Sequence, residues 1–187
     1  MENITISLFV FYSTLGFSDS LLHVGNLIEV DSGEISKGMT IRVAGNKIIS
    51  ITKGYAAASS ADVVIDLKNS FVMPGFMDMH VHLAQEYVPK AERPEKIEPE
   101  FSTLFAANAA EKTLMAGFTS VRNLGDGGME TIALRQAISQ GLVVGPRIFT
   151  SGKTIATTGG HGDPTNGMAK DRYSPPSPEE GVSDSSV

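Results

Sequence analysis

Residues 72–83 read VMPGFMDMHVHL, and within them Asp78, His80 and His82 are spaced two apart. Side chains on a β-strand alternate between faces. The spacing therefore gathers these three polar groups on one side and Met77, Met79, Val81 and Leu83 on the other. Two imidazoles at i and i+2 can converge on one metal ion, and Asp78 can either orient one of them or serve as a buried structural carboxylate. The pair can also be a structural one satisfied by hydrogen bonds, because His-x-His recurs by chance. A divalent metal, with zinc the first expectation, lowers the pKa of its water to about 7 and polarises a scissile carbonyl when imidazole and carboxylate hold it. The chain has four histidines and no cysteine, so any ligands must be nitrogen or oxygen and no disulfide framework exists.

The elements that position these residues follow from periodicity and turn chemistry. From Leu21 to Met73, short β-branched runs such as LLHVGNLIEV, GMTIRVAGNKIISI and DVVIDLKNSFVMP alternate with Gly, Asn, Asp and Ser, which reads as a small antiparallel β unit with a hairpin turn at Gly45-Asn46. Beyond Gly75 the grammar becomes strand, helix, strand, helix, strand. Strands are expected at Met77–His82, Thr119–Asn123 and Arg147–Ser151, and helices at about Glu100–Ala116 and Met129–Ser139, closed by Gly117 and Gly141. That is the repeat of a parallel α/β fold, in which residues at the C-terminal strand ends line the site.

Three further features carry polar chemistry. His161, in TTGGHGDPTNG, follows the third parallel strand; it is either at the mouth of the site or an exposed loop histidine. Arg122, on the second parallel strand, can pair with a substrate carboxylate or with a buried acid in a structural ion pair. The SGKT run at 151–154 ends like a phosphate-binding loop but fails as one, since Arg147 stands where its first glycine belongs and a Gly- and Pro-rich loop follows instead of a helix,.

With 187 residues, 41% hydrophobic and 19% charged, the chain has the composition of a soluble globular protein,. A formal charge of −6 without any lysine or arginine run gives no footprint for nucleic acid or an anionic membrane. The Pro-, Ser- and acid-rich segment at 168–187 predicts disorder.

DLKNSFVMPGFMDMHVHL, GFTSVRNLGDGG and GPRIFTSGKTIATTGGHGD, in that order, make the chain from about Leu22 to Gly167 resemble the amidohydrolase superfamily, in particular its imidazolonepropionase-like and Xaa-Pro dipeptidase-like members. The resemblance implies a β-sandwich unit at 19–74, then the first three βα units of a metal-dependent (β/α)8 barrel at 75–167. It implies hydrolysis of carbon–nitrogen bonds in a small-molecule or dipeptide substrate, His80 and His82 as metal ligands, and His161 as a substrate-contacting group. Relatives often carry aspartate where Asn123 stands. The bridging lysine, two later histidines and strand-eight aspartate that the family implies have no counterpart in these residues. Two readings follow: the N-terminal part of a metal-dependent amidohydrolase, inactive and prone to self-association alone, or a non-catalytic binding partner derived from one.

The run ITISLFVFYSTLGFS at 4–18 is of signal-peptide length, although Glu2 replaces the usual basic n-region; export to a secreted or periplasmic location is the first reading, a cytoplasmic strand the second. It is too short to span a bilayer. If 1–18 is a signal, N-terminal sequencing of the exported protein finds a start near Asp19; a start at Met1 or Glu2 contradicts it.

Overall fold

The computed structural model describes residues 19–85, 98–157, 159–163 and 165–167. The segments at 1–18, where a signal is expected, and at 168–187, where disorder is expected, fall outside them. The chain divides after Pro74 into two compact units. No helix among the described residues is long and apolar enough to cross a membrane.

The first unit holds one sheet, ordered β3-β2-β1-β4, from β1 (Ser20–Ile28), β2 (Ile35–Ala44), β3 (Lys47–Lys53) and β4 (Val63–Val72). β2 and β3 form the hairpin predicted at Gly45-Asn46, with Gly45 at φ +58°, a conformation glycine adopts without steric cost. β4, however, lies parallel to β1, so the sheet is mixed rather than antiparallel. Turn residues mark where a strand ends but not which partner the next one takes. Here residues 54–62 carry the chain back across the sheet before β4 begins. Two buried polar side chains, paired across β1 and β2, anchor this crossover. Thr40 Oγ1 donates to the Gly54 carbonyl at 2.7 Å and accepts from the Ala56 N–H at 2.9 Å, and His23 Nε2 donates to the Ala56 carbonyl at 3.0 Å. Val24, Leu27 and Ile41 form the buried apolar cluster of this unit. A sandwich implies two facing sheets; among the described residues this unit forms one.

The second unit is a parallel sheet, β5-β6-β7, from β5 (Phe76–Val81), β6 (Phe118–Asn123) and β7 (Arg147–Thr150), with α1 (Pro99–Met115) and α2 (Glu130–Ser139) between successive strands. This is the α/β alternation expected, within a residue or so at each boundary. α1 begins at Pro99, whose fixed φ and missing N–H suit a helix start,, and it stops at Gly117, φ +99°. A closed barrel needs eight strands; the described residues supply three, and no helix follows β7 among them.

The core of this unit is made of Leu83, Ala106, Ala110, Val121, Leu134 and Ile148. Val121 on β6 and Ile148 on β7 therefore face the helices, and by alternation Arg122, between Val121 and Asn123, faces the other way. Ala106 and Ala110, four residues apart on α1 and fully buried, lie on one face of the helix. Met77 and Met79 remain 70% and 53% exposed on β5, an edge strand of this sheet.

The packing predicts that Leu134→Ala costs about 2–5 kcal/mol, whereas Leu104→Ala, at a position 71% exposed, changes stability by no more than about 0.5 kcal/mol. Chemical denaturation of the two variants checks this; equal losses would contradict it.

Candidate functional site

The site begins at the C-terminal end of β5. His80 and His82 present their rings to one another with centroids 5.3 Å apart in an edge-on arrangement, and both side chains are exposed. The His82 Nδ1 lies 3.1 Å from the carbonyl oxygen of Gly125. A carbonyl only accepts, so Nδ1 carries a proton, and in the neutral ring Nε2 then keeps its lone pair, the tautomer a metal-ligating histidine needs. Two neutral imidazoles, one already oriented in this way, suit a zinc-like ion. Among the described residues no group of three or more His, Asp or Glu side chains is placed to hold a metal, so the pair could supply at most half of a four-coordinate shell.

Asp78 acts on the backbone: its Oδ1 accepts the His80 N–H at 3.0 Å, and no bond from Asp78 to an imidazole forms among the described residues. Arg122 Nε donates to the Met79 carbonyl at 2.8 Å, tying β6 to β5, and it makes no ion pair among the described residues.

Beneath this end of the sheet lies a buried polar network that the sequence reading missed. Asn123 is completely buried. Its Oδ1 accepts the Leu83 N–H at 2.8 Å, while its Nδ2 donates to Asp126 Oδ1 at 2.8 Å and to the Gly125 carbonyl at 3.3 Å. Asp126 Oδ2 accepts the Thr131 N–H at 3.0 Å and the Thr131 hydroxyl, and Thr131 Oγ1 lies 2.7 Å from Thr150 Oγ1 on β7. Asp126 thus caps the first turn of α2 from outside the helix, where a carboxylate is favoured by the unpaired N–H groups and the helix dipole. An aspartate in a strand-to-helix loop, as in NLGDGG, was the signal that could have revealed it.

The loops after β6 and β7 meet through Thr154. A Cβ on Gly125 would lie 2.1 Å from Thr154 Oγ1, and one on Gly162 would lie 2.6 Å from Thr154 Cγ2; neither position has room for a side chain. His161 sits beside Gly162 in this loop and is exposed. The structure thus brings His80 and His82 together and packs the His161 loop onto the loop that holds His82, without any hydrogen bond between His161 and the pair. Asp163 shapes that loop: Oδ1 accepts from the Thr165 hydroxyl at 2.7 Å and the Thr165 N–H at 2.8 Å, and Oδ2 from the Gly159 N–H at 2.7 Å. These bonds, the Thr165 hydroxyl foremost, hold its carboxyl below the ordinary aspartate pKa,.

Comparison with known proteins agrees with this architecture. Residues 71–183 match the Amidohydrolase family, more than half of the chain, and the chain belongs to that family. Among solved structures it is similar to a Xaa-Pro dipeptidase with methionine bound in its active site, at 48% identity and a TM-score of 0.80, covering 89% of this chain and 41% of that one. It is also similar to a prolidase complexed with N-methylphosphonate-L-proline, at 31% identity and a TM-score of 0.66, covering 78% and 35% of the two chains. An ochratoxinase of Aspergillus niger is 33% identical over 94 residues, 49% of this chain and 19% of that protein. The chain spans less than half the length of each of these relatives.

Because folding lowers the Asp163 pKa, its contribution to loop stability is present above the pKa of the unfolded chain and is lost as the pH falls through the lower folded value. The amide signals of Gly159 and Thr165 should shift together over that acidic window and lose this shared titration in Asp163→Asn. Unchanged titration in the variant contradicts the assignment.

Proposed function

We propose that this chain supplies the metal-ligating N-terminal part of a hydrolase that cleaves carbon–nitrogen bonds, with Xaa-Pro dipeptides as the substrate class. The observation that carries this reading is the His80–His82 pair at the end of β5, with His82 Nδ1 held on the Gly125 carbonyl so that Nε2 of the neutral ring is left to act as a ligand, in a chain of the amidohydrolase family. Likeness to a Xaa-Pro dipeptidase and to a prolidase carrying a proline phosphonate supports the substrate class.

A divalent ion, zinc in this reading, supplies Lewis acidity and an acidified water when bound. The chain's own residues do the positioning. His80 and His82 contribute two neutral nitrogen ligands. Asp78 fixes the backbone of β5 under them through the His80 N–H, and Arg122 clamps β6 to the same strand. His161, on a loop whose shape Asp163 sets, serves as a substrate contact, a role that suits a loop at the C-terminal ends of parallel strands. The described residues provide no further ligand cluster, and the general base and remaining ligands belong to parts of the enzyme beyond them.

Replacing His80 or His82 with Asn in the intact enzyme that carries this chain should abolish metal loading and Xaa-Pro hydrolysis while leaving the circular dichroism spectrum unchanged. Stoichiometric metal retained in the double variant would contradict the reading. Expressed alone, the 187-residue chain should bind zinc weakly, turn over no dipeptide and run above monomeric mass, since β5 and β7 are both edge strands and Met77 and Met79 stay uncovered,. A monodisperse monomer that hydrolyses Xaa-Pro substrate, with activity lost in His80→Asn, would show that three strands suffice.

A further inference from the structure

Among the described residues, Gly125 carries the one carbonyl on which two side chains of different origin meet: His82 Nδ1 at 3.1 Å and Asn123 Nδ2 at 3.3 Å. The orientation of the Asn123 amide is not arbitrary. Its oxygen faces a donor, the Leu83 N–H, and its nitrogen faces acceptors, the Gly125 carbonyl and Asp126 Oδ1, so a flipped amide would set like against like. The bond to Leu83 closes a short loop of contacts, because Leu83 follows His82 directly in the chain. Asn123 therefore grips the backbone on one side of His82 and the carbonyl that receives its ring on the other.

Asp126 makes asparagine the fitting residue here. Its Oδ2 is occupied by the N–H and hydroxyl of Thr131, leaving Oδ1 to face residue 123 at 2.8 Å. A carboxylate at 123 would set one and the same oxygen against both Asp126 Oδ1 and the Gly125 carbonyl, with no proton to share in either contact,. The loop is otherwise tied down by the Asp126 N–H on the Gly152 carbonyl at 2.8 Å and the Leu124 N–H on the Val81 carbonyl at 3.1 Å.

The geometry points to Asn123, paired with Asp126, as a positioning residue that sets the tautomer and aim of the His82 imidazole by holding the Gly125 carbonyl. This deepens the metal-site reading and rests on it for its functional meaning, while its structural content stands apart from any metal.

The test uses nitrogen-15 NMR of the imidazoles in the metal-free intact enzyme that carries this chain, together with zinc titration of that enzyme against a competing chelator. The wild-type enzyme should show His82 in the Nδ1–H form. Asn123→Asp should move it toward the Nε2–H form and weaken zinc binding about 10- to 100-fold, the usual effect of losing a group that orients a ligand. The exchanged pair, Asn123→Asp with Asp126→Asn, restores a donor facing an acceptor and should recover the Nδ1–H form and most of the zinc affinity. An unchanged tautomer in a folded Asn123→Asp variant overturns the proposal. If that single variant does not fold, the exchanged pair decides: recovery of fold and tautomer supports the pairing, and failure to recover either overturns it. Wild type that shows the Nδ1–H form but binds no zinc refutes the metal reading and leaves the positioning role standing.

Discussion

A primary amide sealed from water must find partners for its donors and acceptor inside the protein, at a cost of about 1–3 kcal/mol for each group left unmet. Asn123 meets that demand by drawing together the chain after β5, the loop after β6, the first turn of α2 through Asp126, and, by way of Thr131 and Thr150, the end of β7. The C-terminal ends of three parallel strands are thereby held in one register by polar contacts. The apolar core of Val121, Leu134 and Ile148 packs the sheet against the helices, but dispersion and burial are not directional. It is the hydrogen-bonded layer that fixes where Gly125 presents its carbonyl, and so how the ring of His82 is turned.

The same constraint explains the crowding above it. Gly125 and Gly162 both press on Thr154 so closely that neither could carry a side chain, which lets the two loops stack instead of splaying apart. Asp163 then sets the curvature of the outer loop by accepting from Thr165 and Gly159. Family membership, read from residues 71–183, fits an arrangement in which chemistry sits on loops at one end of a sheet and the sheet itself supplies rigidity.

Much of this was legible in the sequence where the signal is local. Period-two alternation with a preceding Pro-Gly turn located β5 and its histidines, glycines at 117 and 141 marked the ends of the helices, and Gly45-Asn46 marked the hairpin. What depended on partners far along the chain was not legible. The parallel pairing of β4 with β1 is decided by a crossover whose anchors, His23 and Thr40, show no sign of that role in their own neighbourhoods. Asn123 read as a departure from the aspartate common in relatives, and only the fold shows that Asp126 and Thr131 surround it. Asp78 shared a face with the histidines as alternation requires, yet its carboxylate turns to the His80 N–H, because an acceptor two residues before a free backbone donor can close a local ring without reaching across the strand,.

X-ray absorption at the zinc edge of the metal-loaded protein tests the central claim most directly, since it reads the ligands of the metal and not the consequences of losing them. The account predicts multiple-scattering features of imidazole in the wild-type spectrum that diminish when His80 or His82 is replaced by Asn and diminish further when both are. A spectrum with the same imidazole content in the double variant would contradict it.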